Sequence, residues 1–190
     1  MPSDLSVALK EWKLLCDALL AGEQAVLLRK GGILEAAGEF ELEHAAFLLY
    51  PTFIHQRPDD VKPAFRGRLE PRDAEPATVR LAGWCRVHAI FEVPGRAAMN
   101  QLDDLHVWAA PLLDMRFGYR PERPLYLVVV QAFRLPEVVE LPHTLEYAGC
   151  RSWVPLERAI PTAGSTPALA TASLDALAAR IRATFAGRAV

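Results

Sequence analysis

The 190-residue sequence predicts an α+β fold, a bent, barrel-like mixed or antiparallel sheet with helices on its flanks. Three observations point there. Both ends of the chain carry helical periodicity, several runs between them alternate or are apolar throughout as strands do, and one such run is too long to stay straight. Composition fits a packed globular body: 52% hydrophobic and 23% charged residues lie in the usual range, and a formal charge of −2 leaves neither a basic nucleic-acid arm nor an acidic tail. Any contact with nucleic acid must then be a local patch.

The first element expected is a helix from Ser3. Leu5, Leu9, Trp12, Leu15, Cys16 and Leu19 share one helical stripe, with Ser3 or Asp4 as N-cap and Gly22 as the stop. "QAVLLRKGG" then reads as a short buried strand turning sharply at Gly31 and Gly32. In "EFELEH", side-chain alternation puts Glu39, Glu41 and Glu43 on one strand face and Phe40, Leu42 and His44 on the other. "AFLLYPTF" continues as a more buried strand ended by Pro51.

Residues 57–77 hold four prolines, five basic and five acidic side chains, too little apolar surface for an ordered element, so a long surface loop is expected. "TVRLAGWCRVHAIFEV" follows. At about 3.3 Å per residue this run would be roughly 50 Å long if straight, so a bend or bulge is expected at Gly83. Residues 96–117 read as two short helices, the second opened by Pro111, with "LHVW" extended between them. "PLYLVVVQAFRL" is apolar on both faces and belongs in mid-sheet. Pro155, Pro161, Pro167, Gly164 and Ser165 suggest a linker, and "SLDALAARIRATFAG" a closing amphipathic helix capped by Ser173. The expected organisation is one α+β domain over 1–157, then a linker and helix over 158–190.

Cys16, Cys85 and Cys150 are odd in number and widely spaced, which suits a reducing compartment rather than a disulfide framework. The N-terminus carries Asp4, Lys10, Glu11 and Lys13 within its apolar pattern, unlike a signal peptide, and no run reaches the roughly 18 apolar residues of a membrane span. A cytoplasmic protein without membrane contact is expected.

Candidate chemistry gathers in several places. His44 and His55 with Glu41 or Glu43 are metal-ligand types, but their spacing fits no compact signature, and solvated edge-strand glutamates are the simpler reading. Cys85 and His88 form C-x-x-H, yet in a strand they face opposite ways. Arg80, Trp84, Arg86 and His88 recur at spacing two, which would give a surface for stacking bases and contacting phosphate; equally, Trp84 could pack under a helix while the arginines reach water. Arg29 and Lys30 before two glycines make an anion-friendly strand end. Cys150 beside Arg151 is a further thiol to weigh. The lone E-x-K, Glu11-Trp12-Lys13, falls in the expected first helix, where it cannot serve a PD-(D/E)XK nuclease site.

"KEWKLLCDALLAGEQAVLLRKGGI", "FELEHAAFLLYPTFIHQ", "LHVWAAPLLDMRFGYRPERPLYLVVVQAFRL" and "YAGCRSWVPL" together resemble the domain-of-unknown-function 1802 family of bacterial proteins, over residues 10 to about 157. That resemblance implies no particular activity. More remotely, the chain is similar to PUA-like domains, particularly ASCH domains, whose G-x-K-x-x-E-x-R motif enters a strand. Gly22 and Arg29 match it, whereas Gln24 and Leu27 replace its lysine and glutamate. This second resemblance implies a bent barrel that binds RNA, DNA or a nucleotide-like ligand, and it puts in question any hydrolysis that needs the missing pair.

The expected ligand-binding set is Arg29, Lys30, His44, His55, Gln56, Trp84, Arg86 and His88, with no resident metal and no cofactor identified. Two alternatives stand beside a binding domain: a metal-dependent hydrolase or nuclease using Glu41, Glu43, His44 and His55, and a regulatory interaction module without chemistry.

Overall fold

A computed structural model describes residues 2–30, 44–149 and 152–186. Glu39, Glu41, Glu43, Cys150 and Arg151, and with them the expected "EFELEH" strand, lie outside the described residues.

The chain begins with a strand. β1 (Asp4–Trp12) precedes α1 (Lys13–Ala21), so the expected helix over both is corrected. Leu5, Leu9 and Trp12 satisfy a helical repeat, but Leu5, Val7 and Leu9 equally satisfy a strand repeat. Pairing decides between them: β1 is hydrogen-bonded in parallel to β3 (Ala46–Thr52) and antiparallel to β6 (Trp153–Pro161). Long-range partners outweigh local propensity. Helix α1 then stops where expected, at Gly22, whose φ of 74° lets its N–H reach the Ala18 and Leu19 carbonyls.

β2 (Val26–Arg29) is followed, after β3, by a 3-10 turn (Pro58–Asp60) and the short α2 (Pro63–Arg66). The expected featureless loop is therefore ordered in its first half. Val61 is fully buried and bridges to Trp108, and Arg57 grips the buried Asp60 with two hydrogen bonds of 2.8 and 3.1 Å. β4 (Thr78–Glu92), α3 (Arg96–Asn100), α4 (Ala110–Gly118) and β5 (Tyr126–Pro142) match the expected order, with a 3-10 turn (Asp103–Leu105) leading into "HVW". β6 contains Pro155 and runs to Pro161, so the prolines read as a linker stand on a sheet edge, where a missing N–H is tolerated. The two-residue β7 (Thr166–Pro167) pairs with β5, and α5 (Thr171–Ala186) starts before Ser173.

The sheet is mixed, in the order β2-β5-β4-β3-β1-β6, with β1/β3 its parallel pair. It curls strongly: Arg29 at the end of β2 ion-pairs with Glu11 at the end of β1, although three strands stand between them in the order. It does not close. β2 and β6 remain edges, which corrects a full barrel to an open, bent sheet.

The bend has the expected cause. The β4/β5 register shifts between Leu81 and Gly83, and again between Val87 and Ala89. At Gly83 an added Cβ would lie 2.3 Å from Leu20 Cδ2 and 2.4 Å from the Phe133 carbonyl oxygen, so α1 and β5 approach as closely as glycine permits. Apolar side chains pack on both faces: Leu9, Leu19, Phe47, Cys85, Val130, Leu174 and Ile181 on one, Ala8, Leu48, Tyr50, Trp84, Phe133 and Ile160 on the other.

Candidate ligand-binding cleft

The bulge at Gly83 dissolves the arginine-tryptophan stripe. A one-residue slip exchanges the two faces of a strand, so Trp84 joins Val79 and Leu81 in the second core instead of lining up with Arg80. Trp84 is fully buried, stacks on Phe133 at 4.1 Å and donates to Ser165 Oγ at 3.0 Å. It has no face left for a base. Arg86 donates to Gln131 at 2.6 Å, and His88 meets Asp175 of α5 at 3.0 Å. The expected stacking surface on β4 is therefore withdrawn: its aromatic member is core, and its polar members are engaged with β5 and α5.

The described residues instead enclose a cleft of about 640 Å³ where β1 and β3 end side by side. Their parallel register sets Lys10 beside Tyr50 and Trp12 beside Thr52, so one end of the pair delivers Glu11, Tyr50 and Thr52 together. Arg29 arrives from β2 and Arg116 from the last turn of α4. Glu75 completes the rim from the loop before β4, and His143 and Gly149 from the connection between β5 and β6.

The floor is electrostatically unequal. Arg29 donates to Glu11, while its buried Nε has no hydrogen-bond partner. Burial pulls the Arg116 guanidinium below its ordinary pKa; nearby Glu11 opposes the shift and Arg29 adds to it. It stays charged, because arginine begins far above neutrality. Among the described residues no hydrogen bond or ion pair engages the Arg116 side chain; the Glu11 charge, and more weakly that of Asp60, acts on it through space. Glu75, a second carboxylate of the lining, is held in place by the Phe53 and Ile54 backbone N–H groups, at 3.1 Å from Phe53 and 3.4 Å from Ile54.

The opposite wall is aromatic and hydrogen-bonded. Tyr50 Oη and His143 Nδ1 share a hydrogen bond of 2.6 Å. Burial first, and then Glu75 and Tyr147, hold the Tyr50 phenol far above its usual pKa, so it keeps its proton. Lys10 donates to the carbonyls of Tyr147 and Gly149, fixing the loop beyond His143.

Of the expected ligand-binding residues, Arg29 and His55 line the cleft, His55 at a φ of 60°. Two buttress it: Gln56 donates to the Thr52 carbonyl at 2.7 Å, and Lys30 Nζ donates to the Arg116 and Phe117 carbonyls at 3.0 and 2.9 Å, closing the end of α4. His44 packs edge-on against Trp153, 4.9 Å between centroids, and does not line the cleft. Among the described residues no group of three His, Cys, Asp or Glu side chains is placed to hold a metal. Glu11 is in a strand, not the expected helix, and faces the cleft, but Lys13 of the same E-x-K turns away to Asp17 at 2.5 Å.

The residues at the motif's lysine and glutamate positions are structural. Gln24 is buried, donating to the Val26 carbonyl at 2.7 Å and accepting from the Val107 N–H at 2.9 Å, and Leu27 is core. Tyr50, Glu75, Arg116 and His143 were not singled out from sequence; no local motif marks them, because they meet only through folding.

No helix among the described residues is long and apolar enough to cross a membrane. Similar solved structures include the ASCH protein of Zymomonas mobilis, 13% identical over 80% of this chain and 87% of that one, with a TM-score of 0.45. Two point mutants of the same protein are also similar, at 11% and 12% identity, over 83% and 80% of this chain and 92% and 90% of theirs, each with a TM-score of 0.45. No curated protein matches the chain significantly. The model of the domain of unknown function DUF1802 matches residues 8–180, nearly the whole chain, and the protein belongs to that family.

Proposed function

We propose that the protein binds a nucleotide-like ligand or nucleic acid through an anionic group seated on Arg29 and Arg116. One observation carries this reading: two partly buried guanidiniums face one cleft with a single unengaged-by-backbone carboxylate, Glu11, between them. Guanidinium forks match phosphate oxygens, and the low local dielectric strengthens such hydrogen bonds. The aromatic Tyr50–His143 wall suits a planar ring beside the anion.

Titration calorimetry of the full chain with mononucleotides and with RNA and DNA oligonucleotides tests this. Arg116→Gln leaves the Arg29–Glu11 pair intact and should weaken binding about 10- to 100-fold, the value of one charge-assisted hydrogen bond. Unchanged affinity in a variant with an unchanged melting temperature refutes the assignment.

A further inference from the structure

Resting on that reading, we infer that the cleft takes a single nucleotide unit, a nucleoside monophosphate either free or at the end of a strand, with the phosphate on Arg29 and Arg116 and its base read by His143. Size, charge and wall chemistry carry this together.

A volume of about 640 Å³ lies within the range of roughly 300–1,000 Å³ in which pockets enclose one small ligand. A strand crossing the surface would need a succession of unmatched cations, one per phosphate. Several surface arginines of the described residues are already matched, Arg68 with Glu23 at 2.6 Å, Arg96 with Asp114 at 2.7 Å and Arg180 with Asp104 at 2.6 Å. In the cleft Lys10, Arg29 and Arg116 stand against Glu11 and Glu75, a surplus of one positive charge that suits one phosphate.

His143 supplies the discriminating contact. Because Tyr50 Oη engages Nδ1, Nε2 is the ring nitrogen left for a ligand, and the bond to Tyr50 fixes the ring's orientation. One polar atom held in one place discriminates bases that present an acceptor there from those that present an amino group. His143 is therefore a specificity-determining residue, and Tyr50 a positioning residue acting through it.

The test is a calorimetric panel on the full chain: the common nucleosides, their 5′-monophosphates, inorganic phosphate, and a 5′-phosphorylated trinucleotide beside unphosphorylated single strands of increasing length. At least one monophosphate should bind about 10- to 100-fold tighter than its nucleoside, with inorganic phosphate competing. The dependence of log K on log salt should have a slope near −0.7, that of about one phosphate. Equal binding of the phosphorylated trinucleotide identifies a strand end as the source; binding of the free monophosphate alone identifies a metabolite. His143→Phe, which keeps a ring but loses both ring nitrogens, should flatten the preference among bases while preserving the preference for phosphate. Tyr50→Phe should do the same more weakly, and an unchanged melting temperature in both variants rules out a folding artefact.

Affinity that grows with the length of unphosphorylated strands, with a salt slope of several phosphates, overturns the single-nucleotide inference while leaving nucleic-acid binding in place. Unaltered base preference in His143→Phe overturns its role. Absence of binding to every member of the panel overturns both this inference and the function proposed above.

Discussion

Acidification should destabilise the protein through one imidazole. His106 is buried among α3, the Asp103–Leu105 turn and Trp108, with both ring nitrogens lacking a hydrogen-bond partner. Burial, and secondarily the Lys62 charge, lower its pKa from 6.5 to about 4, against a smaller opposing effect of Asp103. The unfolded chain binds this proton near its ordinary pKa, the folded chain only near 4. Stability from the neutral ring is therefore fully present above about pH 6.5 and is lost as pH falls towards 4. At about 1.36 kcal/mol per pH unit, the loss reaches about 2 kcal/mol by pH 5 and about 3 kcal/mol by pH 4.

Urea unfolding at several pH values between 7 and 4 measures it, with His106→Phe as the reference. That variant retains a ring, removes both orphaned nitrogens, and should be as stable as the parent or about 1 kcal/mol more stable at neutral pH. Carboxylates titrating in the same window contribute equally to both proteins, so the difference between the two curves isolates the histidine. Parallel curves, with no growing gap below pH 6, would refute the assignment.

Three further outcomes follow from the packing. Gly83→Ala pushes a methyl group into Leu20 and the Phe133 carbonyl, and thermal unfolding should show a loss of about 1–3 kcal/mol. Gln24→Lys should lower stability by about 1–3 kcal/mol, because the Val107 N–H loses its acceptor in the interior; unchanged stability would show that the amide is dispensable. Cys16 and Cys85 are buried, and burial chiefly drives both thiols well above their ordinary pKa, so peptide mapping after a thiol reagent should find them unmodified in the native protein and modified in urea.

The sequence made β4, α4 and the middle of β5 legible because local chemistry announces them: a glycine in an overlong apolar run, a proline opening a helix, and apolar side chains on both faces. β1 is ambiguous in sequence because Leu5, Leu9 and Trp12 suit either repeat, and the arbiters, β3 and β6, are remote. Trp84 leaves the expected stripe for a subtler reason. Spacing two from Arg80 holds only along a straight strand, and Gly83 is the very bulge that the length of the strand requires. In the cleft, Arg29 was visible through its strand-end setting. Arg116 and His143 stand in segments with nothing local to mark them, and acquire their setting only when the curled sheet brings β2, α4 and the loop after β5 to the ends of β1 and β3.

The place of β1 between β3 and the edge strand β6 has a consequence for the order in which the molecule is made. A strand formed from residues 4–12 must wait for β3, and then for β6 at residues 153–161, before both of its edges are paired. Such non-local pairing slows folding. During synthesis β1, though made before its partners, is thus among the last strands to be secured. A nascent chain halted after α4 already contains Glu11, Arg29, Tyr50 and Arg116, but neither His143 nor the second partner of β1. Capture of ligand would then mark the arrival of the C-terminal quarter, and a small molecule present during refolding should raise the yield of complete chains while leaving such halted fragments unaffected.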